Sequence, residues 1–312
     1  MPPRIIICHM VGDHNPTVTE ECVIRFDRRC TPLSNCGTLL PIGISSPPLK
    51  EWFSLWFRLR EIFSYRSMLW GMILSELRTR YRGSTLGFLW TFVNPLLSLL
   101  VYTLVFSVIM RIKLAHYAVF LFVGLLAWNM FSTAALSSTS VIVRQASLVK
   151  KIYFPREILP LSVVGGSVIN YLFSLVILIP FLIFSGYTPN IYWLYLPLII
   201  LLEAVVTAGF SLLFAALNVY FRDLEHMLGI FMMLWMYLTP VVYTLSMLPP
   251  AFQQFFKLNP IADAVISYQD IFYYGQPVRW KLFVYGWVLS LLVFALGWQV
   301  FNRLSKRFAE EV

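Results

Sequence analysis

Charged side chains are scarce in this sequence. Only 12% of the 312 residues are Asp, Glu, Lys or Arg, whereas 59% are hydrophobic. A soluble domain carries about 25% charged residues, because its surface must be solvated. This composition excludes an ordinary water-facing globular protein and predicts an all-α bundle of membrane-spanning helices.

Cysteine is also rare, and none lies in the apolar part of the chain. The four cysteines are Cys8, Cys22, Cys30 and Cys36. No pair has the two-residue spacing of common zinc sites, so we expect no metal site, although His9 and His14 lie among them. Residues 1–48 show no helical or strand period, and we expect a disordered cytoplasmic extension there.

The motifs of common enzymes are missing as well. The sequence contains no G-x-x-x-x-G-K-[ST] phosphate loop, no H-E-x-x-H and no G-x-S-x-G. The chain is therefore not predicted to bind ATP or any other cofactor, and not predicted to be an enzyme. Asp263 and Asp270 lie two helical turns apart and could form a glycan-handling pair, but a solvated helix surface is the favoured interpretation.

Long charge-free runs are what the sequence has in abundance. A helix that crosses the ~30 Å hydrocarbon layer needs about 20 apolar residues. The turn-rich residues 185–190 divide the longest run into two. Six spans are predicted, at roughly 88–110, 118–140, 160–184, 192–217, 227–245 and 282–302.

The basic residues set the orientation. With the N-terminus inside, fourteen Lys and Arg close to the membrane lie on the inner side and five on the outer side. Because short cytoplasmic loops carry the excess of Lys and Arg, we expect both termini in the cytoplasm. The net charge of +9 is explained in this way without a nucleic-acid partner.

Two segments outside the spans are apolar but unsuited to crossing the membrane. Residues 49–82 interleave aromatic residues with arginines, which predicts an amphipathic interface helix or helix pair in the headgroup plane. Residues 246–281 are apolar and aromatic but interrupted by prolines. Two re-entrant helices, near 250–257 and 261–274 on the outer side, are predicted there.

The short cytoplasmic link Arg144–Glu157 combines cations with an apolar stretch. Positive-inside bias explains the cations but not the apolar residues between them. An amphipathic helix over Gln145–Phe154 that exposes an apolar side predicts a protein partner or the membrane surface.

One acid is predicted deep within a span. Glu203 should face the bundle interior or water, because a carboxylate in lipid is costly. Asn170 should lie at a similar depth on the neighbouring span. A structural hydrogen bond is favoured over a proton or cation pathway, which would need several such groups.

Several ordered motifs resemble the bacterial polysaccharide ABC exporter permeases, which serve O-antigen, capsule and teichoic-acid export. They are RTRYRGSTLGFLWTFVNPLLSLLVYTLVF at Arg78–Phe106, YFPREILPL at Tyr153–Leu161, YFRDLEHML at Tyr220–Leu228 and LTPVVYTLSMLPPAFQQFFKLNP at Leu238–Pro260. The resemblance covers about residues 55–305. It implies an inner-membrane homodimer with two separate ATPase subunits, which hold the ATP and Mg²⁺, and a lipid-linked polysaccharide as substrate.

The resemblance also implies a domain plan and roles for particular residues. An interface helix region at 49–82 would precede a six-span permease domain at 83–305 and a cytoplasmic tail at 306–312. The substrate would enter at Arg78, Arg80 and Arg82 (the arginine triad), whose guanidinium forks match lipid pyrophosphate oxygens. A secondary cytoplasmic contact would lie at Arg222 and Asp223. Coupling to the ATPase would involve Leu148, Lys150, Lys151, Ile152, Tyr153, Phe154, Arg156 and Glu157.

Two other functions fit parts of the sequence. An ABC permease for a drug or a lipid would share the architecture but would not need the arginine-rich region or the re-entrant helices. An integral-membrane glycan enzyme would need clustered carboxylates or histidines at one membrane face.

Overall fold

The computed structural model describes residues 60–80, 87–105, 116–247, 249, 256 and 258–311. All of them belong to one compact unit, Pro48–Val312. Their regular secondary structure is helical throughout, so the predicted all-α class is confirmed. The predictions for residues 1–48, and for residues 49–59, 81 and 82 of the interface helix region, lie outside this described part.

Helices of very different lengths follow one another along the chain. They are α1 (Arg66–Arg80), α2 (Trp90–Thr103), α3 (Tyr117–Thr139), α4 (Val141–Arg144), α5 (Ala146–Lys151), α6 (Ile158–Phe184), α7 (Leu196–Tyr220), α8 (Leu224–Tyr237), α9 (Pro260–Phe272), α10 (Trp280–Ser305) and α11 (Phe308–Glu311).

Within the described residues, four segments are long and apolar enough to cross a membrane. They are α3, α6, α10 and Ile191–Tyr220, in which a 3₁₀ turn leads into α7. They correspond to the second, third, sixth and fourth predicted spans.

The helices at the first and fifth predicted spans are shorter than expected. α2 and α8 have 14 residues each, or about 21 Å of helix at 1.5 Å per residue. The predicted first span continues into residues that the structure does not describe. The fifth predicted span, at about 227–245, extends beyond the helix, since α8 ends at Tyr237. The helix ends there because Pro240 has no N–H to donate and disfavours helical backbone in the residue before it.

The core of the bundle is built around α3. Nearly all of its residues are buried, and it packs against α6, α7 and α9. Close backbone contact joins α7 to α10, since a Cβ at Gly297 would lie 2.1 Å from the Gly209 carbonyl oxygen. Small residues allow such an approach between membrane helices, where packing and interhelical hydrogen bonds drive association.

The segment predicted as the second re-entrant helix forms α9, all of whose residues are buried. Asn259 caps it by accepting a 3.2 Å hydrogen bond from the N–H of Ile261, and Pro260 occupies its first position, where an N–H is not needed. The Nδ2 of Asn259 also donates to Thr239 Oγ1 (3.0 Å) beyond the end of α8. The predicted helix near 250–257 falls almost wholly outside the described residues.

The expectation that Asp263 and Asp270 lie on a solvated helix surface is wrong. Their exposed fractions are 0% and 1%, because α9 is inserted between α3, α7 and α10. A Cβ at Gly286 of α10 would lie 2.8 Å from the Cβ of Asp263. The carboxylates of Asp263 and Asp270 therefore face neighbouring helices rather than solvent.

Candidate coupling surface and intramembrane polar cavity

The predicted coupling helix is shorter than the sequence suggested. α5 covers Ala146–Lys151, six residues, and the backbone at Ile152 is extended (φ −128°, ψ 134°). The following residues lead through Pro155 into α6. The predicted coupling segment (Ala146–Glu157, called the coupling segment below) is therefore a helix of about one and a half turns followed by a short extended strip.

The apolar residues of this segment divide into an outward and an inward group. Tyr153 and Ile152 are 87% and 54% exposed, whereas Phe154 is only 5% exposed and packs in the bundle core. Leu148 is half-buried against the same core. Phe154 is thus turned away from any partner, contrary to the sequence prediction, and Ile152 with Tyr153 forms the outward apolar pair.

Charged residues surround this outward pair. Lys150 and Lys151 are exposed, while Arg156 is half-buried and Glu157 buried. These residues line a cleft of about 890 Å³ that also contacts Glu61 and the end of α10. The cleft gives the coupling segment an open, mixed polar and apolar surface.

A set of contacts near the end of the chain, which we name the C-terminal clasp (Arg156, Tyr220, Leu304, Ser305 and Phe308), ties this segment to the bundle. The Arg156 guanidinium donates to the Ser305 carbonyl and lies 5.9 Å from the centre of the Phe308 ring. Tyr220 Oη donates to the Leu304 carbonyl at 3.0 Å. Phe308 is fully buried. The clasp connects the coupling segment to the ends of α7 and α10.

The clasp is not predicted by the sequence, which indicates only a cytoplasmic tail at residues 306–312. The aromatic spacing of Phe301 and Phe308, seven residues apart, was the available signal. Their rings meet edge to face at 5.4 Å between centres. Arg222 and Asp223, the predicted secondary contact, are exposed in the link between α7 and α8.

The arginine triad is only partly described. Arg78 is exposed on α1, beside an apolar groove of about 520 Å³ between α1 and α6 that includes Trp70 and Phe173. Arg80 is the last residue of α1, and Arg82 lies outside the described residues. The described part therefore supplies one cation next to an apolar groove.

A polar cavity of about 350 Å³ lies between α2, α3 and α6. Asparagines from all three helices line it, namely Asn94, Asn129 and Asn170. The remaining lining residues are hydroxyl-bearing (Thr91, Ser98, Thr133, Ser167 and Ser174), aromatic (Trp90, Phe122 and Tyr171) or aliphatic (Pro95, Leu125, Leu126 and Met130). Of these three asparagines, only Asn170 is predicted from the sequence to lie at membrane depth. A search for asparagines within charge-free runs would have found the other two.

Glu203 is fully buried and forms part of a chain of contacts at the centre of the bundle. Tyr268 Oη of α9 donates to Glu203 Oε2 of α7 at 2.8 Å. The Tyr268 ring lies 5.5 Å from the ring of Tyr171 in α6. Glu203 is thereby connected through Tyr268 and Tyr171 to the helix that carries Asn170.

One ion pair joins the end of α9 to the residue before α10. Arg279 Nη2 donates to Asp270 Oδ1 at 3.1 Å, and the Asp270 side chain is buried while that of Arg279 is half exposed. Burial raises the pKa of Asp270 to about 6, although the Arg279 cation opposes the rise. This pair fixes the turn between the buried helix and the last candidate span.

A match to a known family accounts for this arrangement of candidate spans and links. Residues 68–273 match the ABC-2 type transporter family. The chain belongs to that family. Members are transport subunits, and the match includes α2 to α9, the coupling segment and the polar cavity.

Several members of the ABC-2 type transporter family are similar over most of their length. The chain is 37% identical over 256 residues to the O-antigen export system permease protein RfbA of Myxococcus xanthus, covering 81% of this chain and 98% of that protein. It is 34% identical over 236 residues to the protein of the same name from Klebsiella pneumoniae, covering 75% and 91%. The capsule polysaccharide export inner-membrane protein CtrC of Neisseria meningitidis is 23% identical over 261 residues, covering 80% and 95%.

Proposed function

We propose that this chain is the permease subunit of an ATP-driven exporter that moves a lipid-linked polysaccharide across the bacterial inner membrane. The observation that carries the proposal is the 37% identity to an O-antigen export permease over 98% of that protein's length. The uncharged polar cavity at membrane depth supports it, because a polysaccharide needs hydroxyl and amide partners along its path.

A deletion strain tests this function directly. Without this chain, surface polysaccharide should be lost and lipid-linked polymer should accumulate inside the cell. Export should return with the wild-type gene. Unchanged surface polysaccharide with altered sensitivity to a drug, or with altered lipid composition, would refute the proposal and favour the rival ABC permease functions.

The proposed assembly contains two copies of this chain and two ATPase subunits. Each copy has six spans, with α2 and α8 as the first and fifth, and both termini in the cytoplasm. Short apolar helices support this count, because α8 exposes Ile230, Met233 and Tyr237 to whatever lipid or protein surrounds it. The ATP and Mg²⁺ are held in the ATPase subunits.

Energy from ATP enters through the outward pair of the coupling segment. Ile152 and Tyr153 would fill a cleft in the ATPase, with Lys150 and Lys151 at the rim, since buried apolar anchors usually dominate such interfaces. A nucleotide can shift the permease only if this contact distinguishes two states of the ATPase. The clasp would carry the displacement from the coupling segment to α7 and α10.

Paired substitutions test the coupling role. Ile152→Asp with Tyr153→Asp should abolish co-purification of the ATPase and export, because both side chains are exposed and their change leaves the bundle intact. Lys150→Ala should be mild, as expected of a rim charge.

Truncating the buried neighbour Phe154 should destabilise the fold rather than weaken the contact with the ATPase. Phe154→Ala should lower the free energy of unfolding of the permease by about 3–5 kcal/mol, which is the usual cost of truncating a core phenylalanine. If the double aspartate variant still assembles and exports, the contact lies elsewhere, and the link with Arg222 and Asp223 is the next candidate.

A further inference from the structure

We infer that the cavity between α2, α3 and α6 is a sugar-binding subsite on the transport path. In it, Thr91, Asn94 and Asn129 hydrogen-bond the hydroxyls of neutral sugar residues. This inference rests on the proposed function and deepens it, because it assigns the substrate's sugar part to a site within a single subunit.

The exposure pattern of α3 marks the cavity as open space rather than packed core. Asn129 is the only exposed residue in the whole of α3, although its neighbours Trp128 and Met130 are each 4% exposed. A polar side chain exposed in the middle of a buried membrane helix is expected to face water, a ligand or polar groups of another chain rather than lipid. Asn94 of α2 is likewise exposed and lines the same space.

A buried hydroxyl at the cavity wall lacks a partner within the protein. Thr91 is 2% exposed, and its Oγ1 makes no hydrogen bond in the described structure. In a helix, a threonine hydroxyl commonly bonds a carbonyl one turn earlier. A buried polar atom without a hydrogen-bond partner is unfavourable. We therefore expect Thr91 Oγ1 to form a hydrogen bond with a ligand in the cavity.

The chemistry of the lining selects the ligand class. No described residue that lines the cavity carries a charge, so phosphates and ions would find no counter-charge there. Amide side chains both donate and accept hydrogen bonds, as sugar hydroxyls do. The half-buried ring of Trp90 offers an apolar face for the C–H face of a sugar, whereas the rings of Phe122 and Tyr171 are buried behind the cavity wall. The volume of about 350 Å³ is at the lower end of the range for small-molecule sites, which fits a short stretch of polymer rather than a lipid tail.

Photo-crosslinking in the intact exporter tests the inference. The photoreactive residue p-benzoylphenylalanine would replace Asn129 in cells that make their own polymer. Irradiation should give a high-mass permease band that stains for carbohydrate, and this band should be missing in cells unable to synthesise the polymer. The same replacement at Val176, which is 60% exposed on α6 and does not line the cavity, should give no carbohydrate-linked band.

Substitution of the same asparagine supplies a second measurement. Asn129→Leu should reduce the export rate by about five- to tenfold, as expected for one lost hydrogen bond to the ligand. Asn129→Gln should recover much of that rate, and neither change should affect co-purification of the ATPase. A merely structural asparagine would instead show equal loss with both variants.

The outcomes separate this inference from the proposed function. If the wild-type chain exports polymer but position 129 forms no carbohydrate crosslink, the cavity is not on the sugar's path. Crosslinks of equal yield at positions 129 and 176, or full export by Asn129→Leu, would also overturn the inference. Failure of the wild-type chain to restore export would instead refute the proposed function itself.

Discussion

Replacing Gly297 by alanine should separate the two most closely apposed spans of the bundle. The added Cβ would lie 2.1 Å from the carbonyl oxygen of Gly209, whereas close C···O contacts between helices lie at about 3.3–3.6 Å. The obstacle is backbone, which cannot rotate away as a side chain can. α7 and α10 must therefore move apart by more than about 1 Å.

The magnitude follows from the length of the contact. α7 packs along α10, and a gap of about 0.5–1 Å forfeits roughly a quarter to a half of the dispersion attraction between facing atoms. Overpacking typically costs about 1–3 kcal/mol and occasionally more. We expect about 3 kcal/mol for Gly297→Ala. At roughly 2–4 °C per kcal/mol for chains of this size, this is a fall of about 6–12 °C in the thermal midpoint.

Two further glycines provide matched controls for a thermal-shift series on the purified permease. At Gly165→Ala the added Cβ meets only the side chain of Ile73, with Cδ1 at 2.7 Å and Cγ1 at 3.0 Å. A side chain can shift where backbone cannot, so the effect should be smaller than that of Gly297→Ala. Gly71→Ala meets nothing within 4 Å and lies in a helix, where alanine is favoured by up to about 1 kcal/mol. Equal thermal midpoints for Gly297→Ala and Gly71→Ala would show that α7 and α10 are not in backbone contact.

Three other predictions concern topology, pH and the lipid end of the substrate. Single cysteines at Thr188 and Gln276 should react with an impermeant thiol reagent from outside and one at Ala146 should not; labelling at position 146 would refute the orientation. Arg279→Gln should further raise the pKa of Asp270, about 6 in the wild type, because the opposing cation is lost. The folded state then holds its proton to higher pH, so melting curves should show a stability loss above about pH 6 that disappears well below it; a loss independent of pH would contradict this. Replacing the whole arginine triad by lysine should impair export through loss of the bidentate fork, and undiminished export would limit its role to orientation in the membrane.

The long spans were predictable because their signal is additive. A run of about twenty uncharged, apolar residues strongly predicts a membrane-spanning helix. The predicted bounds of the second, third, fourth and sixth spans agree closely with helices α3, α6, α7 and α10. The end of α8 was harder to predict, because the apolar residues continue past Pro240 although the helix does not. Hydropathy depends only on composition and does not register that proline lacks a backbone N–H.

The site was less predictable, because it depends on which face of each helix is turned inward. Ile152, Tyr153 and Phe154 are consecutive and apolar, yet only the third enters the core. Asp263 has the same chemistry as a solvated carboxylate and is fully buried. In the sequence, Asn129 is an isolated polar residue. In the fold, it lines the same cavity as Asn94 of α2 and Asn170 of α6. Such convergence between distant segments has no periodic signal along the chain.

The backbone contact between α7 and α10 limits how the protein can move. With no side chains between Gly209 and Gly297, the two spans cannot slide past each other without a collision, and they would behave as a single rigid lever. Any opening for a polymer must then come from hinges at other helices. A covalent bridge between α7 and α10 should therefore leave export unhindered.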